Sequence, residues 1–121
     1  MIVGTNLVAS DNSGAMKVKC LKILGSSYCN HTNIGDSLVV SVQSCKKHKK
    51  VVRRSVHKSI LIRQKSKTLR KNGVWVSFFQ NSCVLLKKNN DPIGNRVIGS
   101  VLQELRYKRC IKIMLLAFNI L

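Results

Sequence analysis

Residues 10–20 read Ser10-Asp11-Asn12-Ser13-Gly14-Ala15-Met16-Lys17-Val18-Lys19-Cys20, turn formers followed by alternating apolar and basic side chains. Alternation with a period of two marks a β-strand with one face in a core and the other in solvent. It predicts Met16, Val18 and Cys20 inside and Lys17 and Lys19 outside. The turn before it holds one of only four acids in a chain with twenty-two Lys and Arg. Asp and Asn side chains hydrogen-bond to backbone two residues on, and glycine reaches backbone conformations closed to other residues. Asp11, Asn12 and Gly14 are therefore expected to fix the turn that sets which side chains enter the core.

Similar β-type runs recur along the chain. Ser37–Gln43 (SLVVSVQ) places Leu38, Val40 and Val42 on one face. Ser59–Arg63 (SILIR), Val74–Phe79 (VWVSFF) and Cys83–Leu86 (CVLL) are rich in β-branched, aromatic and apolar residues. Turn signals separate them at Asn12-Ser13-Gly14, Gly25-Ser26-Ser27, Gly35-Asp36, Asn72-Gly73 and Asp91-Pro92. Asn72-Gly73 is a hairpin signal. Short strands punctuated this way predict a mainly β fold, a small barrel or sandwich. One helix start is marked. Ser100-Val101-Leu102-Gln103 has the spacing of a capping box, and Glu104 falls in the first turns. A short helix over about 101–107 is expected.

The length of 121 residues fits one domain, 1–121. Its 45% hydrophobic content is enough for a core and separates it from charged disordered chains. The formal net charge is +18 and the sequence pI about 10.4. Like charges at that density repel, and a polyanion relieves the repulsion. Nucleic acid is the first candidate partner and an anionic membrane surface the second. Residues 1–45 carry three Lys and no Arg, residues 46–71 twelve basic residues, and residues 72–121 seven. The focus is the loop at about 44–58, including Cys45–Lys58, CKKHKKVVRRSVHK. Each cation that neutralises a phosphate releases condensed counterion, and arginines can fork onto phosphate oxygens. The expected RNA contacts are Lys46, Lys47, Lys49, Lys50, Arg53, Arg54, Arg63, Lys65, Lys67, Arg70 and Arg96. Val51-Val52 interrupts the charges and predicts a loop anchored by its middle.

The same residues argue against other classes. Asp11, Asp36, Asp91 and Glu104 are far apart, and no H-E-x-x-H, G-x-S-x-G or glycine-rich phosphate loop is present. Turn and helix-end duties are expected for the acids, with no catalytic residue, no metal and no cofactor. A small nuclease is the alternative, and it would gather acids around an ion. His48 and His57 lie among cations and are expected to face RNA. The five cysteines, Cys20, Cys29, Cys45, Cys83 and Cys110, lack zinc-site spacing, and their odd number fits reduced thiols in a reducing compartment. The N-terminal residues lack the pattern of a signal or import sequence. The apolar stretch IKIMLLAFNIL is about half the length that spans a bilayer, with Lys112 inside it. A soluble protein with no membrane partner is expected.

In order along the chain stand Thr5-Asn6-Leu7, Ala9–Ala15 with DNSGA, Cys20–Gly25, Ile34-Gly35-Asp36, Val39–Val42, Asn72-Gly73, Asn81, Val84-Leu85-Leu86, Pro92–Gly99 with PIG-x-R-x-x-G, Glu104-Leu105-Arg106 and Lys112-Ile113. In this collinear set the chain resembles the fourteenth large-subunit ribosomal protein family, in its bacterial and organellar form. The resemblance implies a closed five-stranded β-barrel, a projecting basic β-ribbon loop and short helices in a C-terminal part, about 92–121. It implies a structural role in the large ribosomal subunit at the face that meets the small subunit. The implied partners are large-subunit rRNA, the third and nineteenth large-subunit proteins, small-subunit rRNA across a bridge, and a ribosome-silencing factor. Asn95, Arg96 and Lys112 match positions of the docking surface for that factor, with Asn95 in place of the usual Thr. The basic loop lacks the family's glycines and proline, and Gly99-Ser100 replaces Gly-Pro. Abundant Lys, Asn, Ile and Ser suggest an AT-rich coding genome, which fits the matrix of a mitochondrion, with a plastid or a bacterial cytoplasm as the alternative.

Overall fold

A computed structural model describes residues 1–25 and 31–121. Cys29 and the expected turn residues Ser26 and Ser27 lie outside these. The chain runs β1 (Asn6–Ala9), β2 (Ala15–Ile23), β3 (Ser37–Cys45), β4 (Val56–Arg63), β5 (Thr68–Leu69), β6 (Trp75–Val76), β7 (Ser82–Leu86), β8 (Val97–Val101), α1 (Glu104–Tyr107), α2 (Ile111–Leu116) and β9 (Ala117–Ile120). Strands β1, β2, β3, β4 and β7 close a barrel in that order. Neighbours are antiparallel except β1 and β7, which pair in parallel through Val8 opposite Ser82 and Ala9 opposite Cys83. Closure gives every barrel strand two partners and leaves the barrel no open edge, while β5–β6 and β8–β9 form two separate two-stranded sheets.

Two apolar clusters hold the molecule. Inside the barrel, Leu7, Val18, Cys20, Leu38, Val40, Val42, Leu61, Cys83 and Leu85 meet. Outside it, Ile60 and Ile62 of β4 and Val84 and Leu86 of β7 meet Val97, Val101, Leu102, Leu105 and Ile113 of the C-terminal segment. β4 and β7 are therefore covered on both faces. This explains why CVLL reads as a continuous apolar run instead of an alternating one. Each fully buried Leu or Ile contributes about 1.5–3 kcal/mol.

The expected strands in β2, β3, β4 and β7 form, with four differences. First, Met16 is exposed, not inside. The β2–β3 register shifts between Ala15 and Lys17 and again between Lys17 and Val18. A bulge adds a residue and breaks the inward–outward alternation, so Met16 and Lys17 both face out while Val18 and Cys20 are buried. Second, VWVSFF yields a strand only at Trp75–Val76, in a hairpin with β5 across Asn72-Gly73, where Gly73 has φ +83°. Third, the helix starts at Glu104 and Ser100 does not cap it; Gln103 is the N-cap and makes no side-chain cap bond. Fourth, the C-terminal part is not helical throughout: Val97–Val101 is strand β8, paired in parallel with β9. The Leu121 N–H donates to the Val101 carbonyl at 2.8 Å, so the backbone of the expected first helical turn is committed to β9 instead. Among the described residues, no helix is long and apolar enough to cross a membrane.

Candidate nucleic-acid interface

Residues 46–55 join β3 to β4. Lys46, Lys47, Lys49, Lys50, Arg53 and Arg54 are all exposed on this loop. Val51 is 3% exposed and packs into the barrel core, whereas Val52 is 69% exposed. The loop is thus pinned by one valine with its cations fanned around the pin. It turns without glycine: His48 (φ 60°) and Arg54 (φ 66°) take the left-handed backbone conformation. The Arg54 N–H donates to the Val42 carbonyl at 2.8 Å, and the Lys46 N–H to the Gly14 carbonyl at 2.8 Å.

The Ser10–Gly14 turn is the foundation of this site. Asp11 is buried, and its Oδ1 accepts from Ser13 Oγ at 2.6 Å and from the Ser13 N–H at 3.4 Å. Its Oδ2 accepts from the Leu85 N–H in β7 at 3.1 Å. One carboxylate therefore fixes the turn and ties it across the barrel. Asn12 reaches further than the local turn expected for it. Its Oδ1 accepts from the N–H groups of Asn95 (2.7 Å) and Arg96 (3.2 Å). DNSGA and PIG-x-R, distant in sequence, form one clasp. Gly14 has φ +104°, and a Cβ there would lie 2.2 Å from Lys49 Cβ, so glycine also lets the cationic loop lie flat on the turn. A Cβ on Gly94 would lie 2.5 Å from Asn12 Oδ1.

The other expected RNA contacts divide. Lys65, Lys67 and Arg96 are exposed. Arg63 is half-buried: its Nη2 donates to Ser10 Oγ and, at 2.8 Å, to the Ile98 carbonyl. Burial lowers its pKa from the ordinary guanidinium value. Arg70 forks onto Glu104 at 2.6 and 3.2 Å and donates to the Leu121 carbonyl at 2.8 Å. Of the residues expected to meet a docking partner, Asn95 and Lys112 line one shallow cleft, where Lys112 is ion-paired with Asp91, and Arg96 is exposed next to Asn95. The Lys112 ammonium holds the exposed Asp91 carboxyl below the usual range.

Sequence reading missed two groupings. Lys17 joins Lys46 and Lys49 around a cleft of about 370 Å³ whose wall includes Met16 and Ile98. Its outward place on β2 was the available signal. Lys58, Lys108, Arg109 and Lys112 line a second cleft of about 490 Å³, and nothing in sequence spacing joins them. Among the described residues, no group of three or more His, Cys, Asp or Glu is placed to hold a metal ion. The acids are distributed as clips. Glu104 pairs with Arg70, Asp36 with Lys108 and Asp91 with Lys112, while Asp11 is buried in the turn.

A closed barrel with a pinned loop of six cations and no acid is the build of a polyanion-binding β protein. Comparison with protein families matches residues 1–121 to the family described as ribosomal protein L14p/L23e, and the chain belongs to that family. It is accordingly a ribosomal protein, a structural constituent of the large subunit, partnered by large-subunit RNA and other ribosomal proteins.

Proposed function

We propose that this chain binds folded large-subunit rRNA through the 46–55 loop, with Lys65, Lys67 and Arg96 extending the contact. Arg63 and Arg70, engaged within the chain, shape that surface. The contacts are mainly to phosphate and sugar, which recognises RNA shape and not sequence. The protein has no catalytic role. It stands at the subunit interface, bridges to small-subunit rRNA and neighbours the third and nineteenth large-subunit proteins. The surface of Asn95, Arg96 and Lys112 receives a ribosome-silencing factor. The ribosome concerned is mitochondrial; the scarcity of acids and the Lys-, Asn- and Ile-rich composition support that reading, and a plastid or bacterial ribosome is the alternative.

The observation that carries the RNA reading is the loop itself: six exposed cations, none with an acid partner among the described residues. If all six meet phosphate, log affinity falls with log salt with a slope of about −5. Replacing Lys46, Lys47, Lys49 and Lys50 with Gln lowers the magnitude of that slope by about 3 to 4. Filter binding to large-subunit rRNA between about 50 and 200 mM salt measures both. A slope that the four substitutions leave unchanged refutes the assignment. Co-sedimentation of the chain with large subunits from fractionated organelles, after a high-salt wash, tests the compartment.

A further inference from the structure

The β5–β6 hairpin carries a feature that the cationic loop does not explain. Cross-strand partners share a face of a hairpin, and neighbours along a strand alternate. Thr68 opposes Val76, and Leu69 opposes Trp75. Val76 and Phe78 pack against the outer apolar cluster. The other face is bare: Leu69 is 56% and Trp75 60% exposed, and just beyond the end of β6 Phe79 is 95% exposed. Single exposed apolar residues are ordinary. Here, however, the chain's only tryptophan and one of its three phenylalanines are displayed four residues apart.

Hydrogen bonds hold the hairpin at its turn and at its base. The Arg70 N–H donates to the Val74 carbonyl at 2.9 Å, the Phe78 N–H to the Gln64 carbonyl at 3.0 Å, and the Val74 N–H to Asn72 Oδ1 at 3.1 Å. The Arg70 guanidinium is locked onto Glu104 and the Leu121 carbonyl. A platform fixed in advance loses little entropy when something lands on it. Its surroundings are cationic. Lys65, Lys67 and Lys71 are exposed around it, and Glu104, the acid that reaches the hairpin, is occupied by Arg70.

We propose that this hairpin is a stacking platform for unpaired RNA bases, Trp75 and Phe79 offering ring faces while Lys65, Lys67 and Lys71 hold the flanking phosphates. The proposal rests on the RNA-binding reading above and adds a second, chemically different contact to it. Charge complementarity selects the occupant. Protein–protein interface cores are depleted in lysine, whereas aromatic rings set among cations are the common solution for single-stranded nucleic acid. The bases must be unpaired, because the bases within an A-form helix present no free ring face to a side chain.

Trp75 is the chain's sole tryptophan, so its fluorescence reports on this site alone. The full-length chain is titrated with a single-stranded oligoadenylate and, separately, with a fully paired RNA duplex of equal length. The expected result is quenching and a blue or red shift with the single strand and little change with the duplex. Trp75→Ala is expected to weaken single-strand binding about tenfold at unchanged salt slope, with Trp75→Phe recovering most of it. Lys67→Gln is expected to reduce the slope instead. Circular dichroism confirms that the variants are folded, as substitution at an exposed ring should allow. If the chain binds rRNA with the expected salt slope but Trp75 is not quenched and Trp75→Ala binds as tightly, the platform is refuted and the loop reading stands. Quenching by a neighbouring ribosomal protein but by no RNA refutes it equally. Absence of any RNA binding refutes the broader reading itself.

Discussion

Asp11→Ala is the most informative single substitution, because it separates what holds the barrel from what holds RNA. Asp11 Oδ2 is the acceptor for the Leu85 N–H at 3.1 Å, and Leu85 is 0% exposed. Without the carboxylate that N–H is buried with no partner, which costs about 1–3 kcal/mol. Ser13, also 0% exposed, loses the acceptor for its hydroxyl at 2.6 Å, adding about 1 kcal/mol. The total is about 2–4 kcal/mol. For a chain of this size each kcal/mol shifts Tm by about 3–6 °C, so a loss of about 10 °C is expected. Asp11→Asn is expected to lose roughly half as much: its amide oxygen can still accept from the Leu85 N–H, and its NH2 can donate to Ser13 Oγ. Thermal unfolding followed by far-ultraviolet circular dichroism gives the order, wild type above Asn above Ala. Affinity for rRNA at a temperature where all three are folded should agree within about twofold, under 0.5 kcal/mol. Unmoved Tm with weakened RNA binding would sink the reasoning, since the acid would then act at the RNA surface and not in the turn.

Val51→Ala removes two buried methyl-sized groups from the barrel end and is expected to cost about 2 kcal/mol, whereas Val52→Ala at the 69%-exposed neighbour changes stability by less than about 0.5 kcal/mol; equal urea midpoints for the two would show that the loop is not pinned. Arg70→Met breaks the fork onto Glu104, whose partners are each 25% exposed, and should lower stability by about 1–2 kcal/mol while leaving the salt slope of RNA binding unchanged. A reduced slope would instead give Arg70 a phosphate. The Cys83 thiol, fully buried, is pushed up to about 12, first by burial and next by the Asp11 charge. The unfolded thiol ionises near 9.0 and the folded one does not, so the stabilisation is intact below about pH 9 and declines as pH rises toward about 12. By about pH 10 the loss is roughly 1.4 kcal/mol for this thiol, and Cys20, raised mainly by burial, acts in the same direction. Urea midpoints across this range should fall less steeply for Cys83→Ala, and identical slopes would refute the assignment.

Where local pattern and burial agree, the fold was legible. β3 alternates, its inward residues Leu38, Val40 and Val42 are fully buried, and it forms as read. β7 shows no alternation because both its faces are covered, yet its apolar density was signal enough. β2 misled at Met16 because a bulge is a property of the pairing with β3, not of β2 alone. The β8–β9 pair was illegible: Val97–Val101 contains Gly99, and its partner lies beyond two helices. The helix signal at Ser100 lost to this non-local pairing, an ordinary case of tertiary structure overriding local propensity. At the site, the density of Lys and Arg located the loop. It could not reveal that Arg63 is held by Ser10, 53 positions away, or that Arg70 is held by Glu104, 34 positions away. The missing glycines of the loop also gave no hint that His48 and Arg54 would make its left-handed turns.

The placement of the acids explains how so cationic a chain stays folded while keeping its charge available. Asp36–Lys108, Asp91–Lys112 and Glu104–Arg70 each join residues 104–112 to the barrel side or to the hairpin. Partly exposed pairs of this kind contribute little individually. Their position matters more than their sum: Asp36–Lys108 and Asp91–Lys112 lie beside the seam where the C-terminal segment covers β4 and β7, Glu104–Arg70 ties that segment to the hairpin, and uncompensated Lys and Arg there would push these parts apart. Asp11 acts by hydrogen bonding within the Ser10–Gly14 turn and to β7. No acid is left over for residues 46–55 or for the outer face of the hairpin, so among the described residues no carboxylate side chain pairs with the cations at either place. Scarcity of carboxylates is therefore not a bare compositional bias. Each one is placed where it closes the fold, and the six cations of residues 46–55 are left without an acid partner among the described residues.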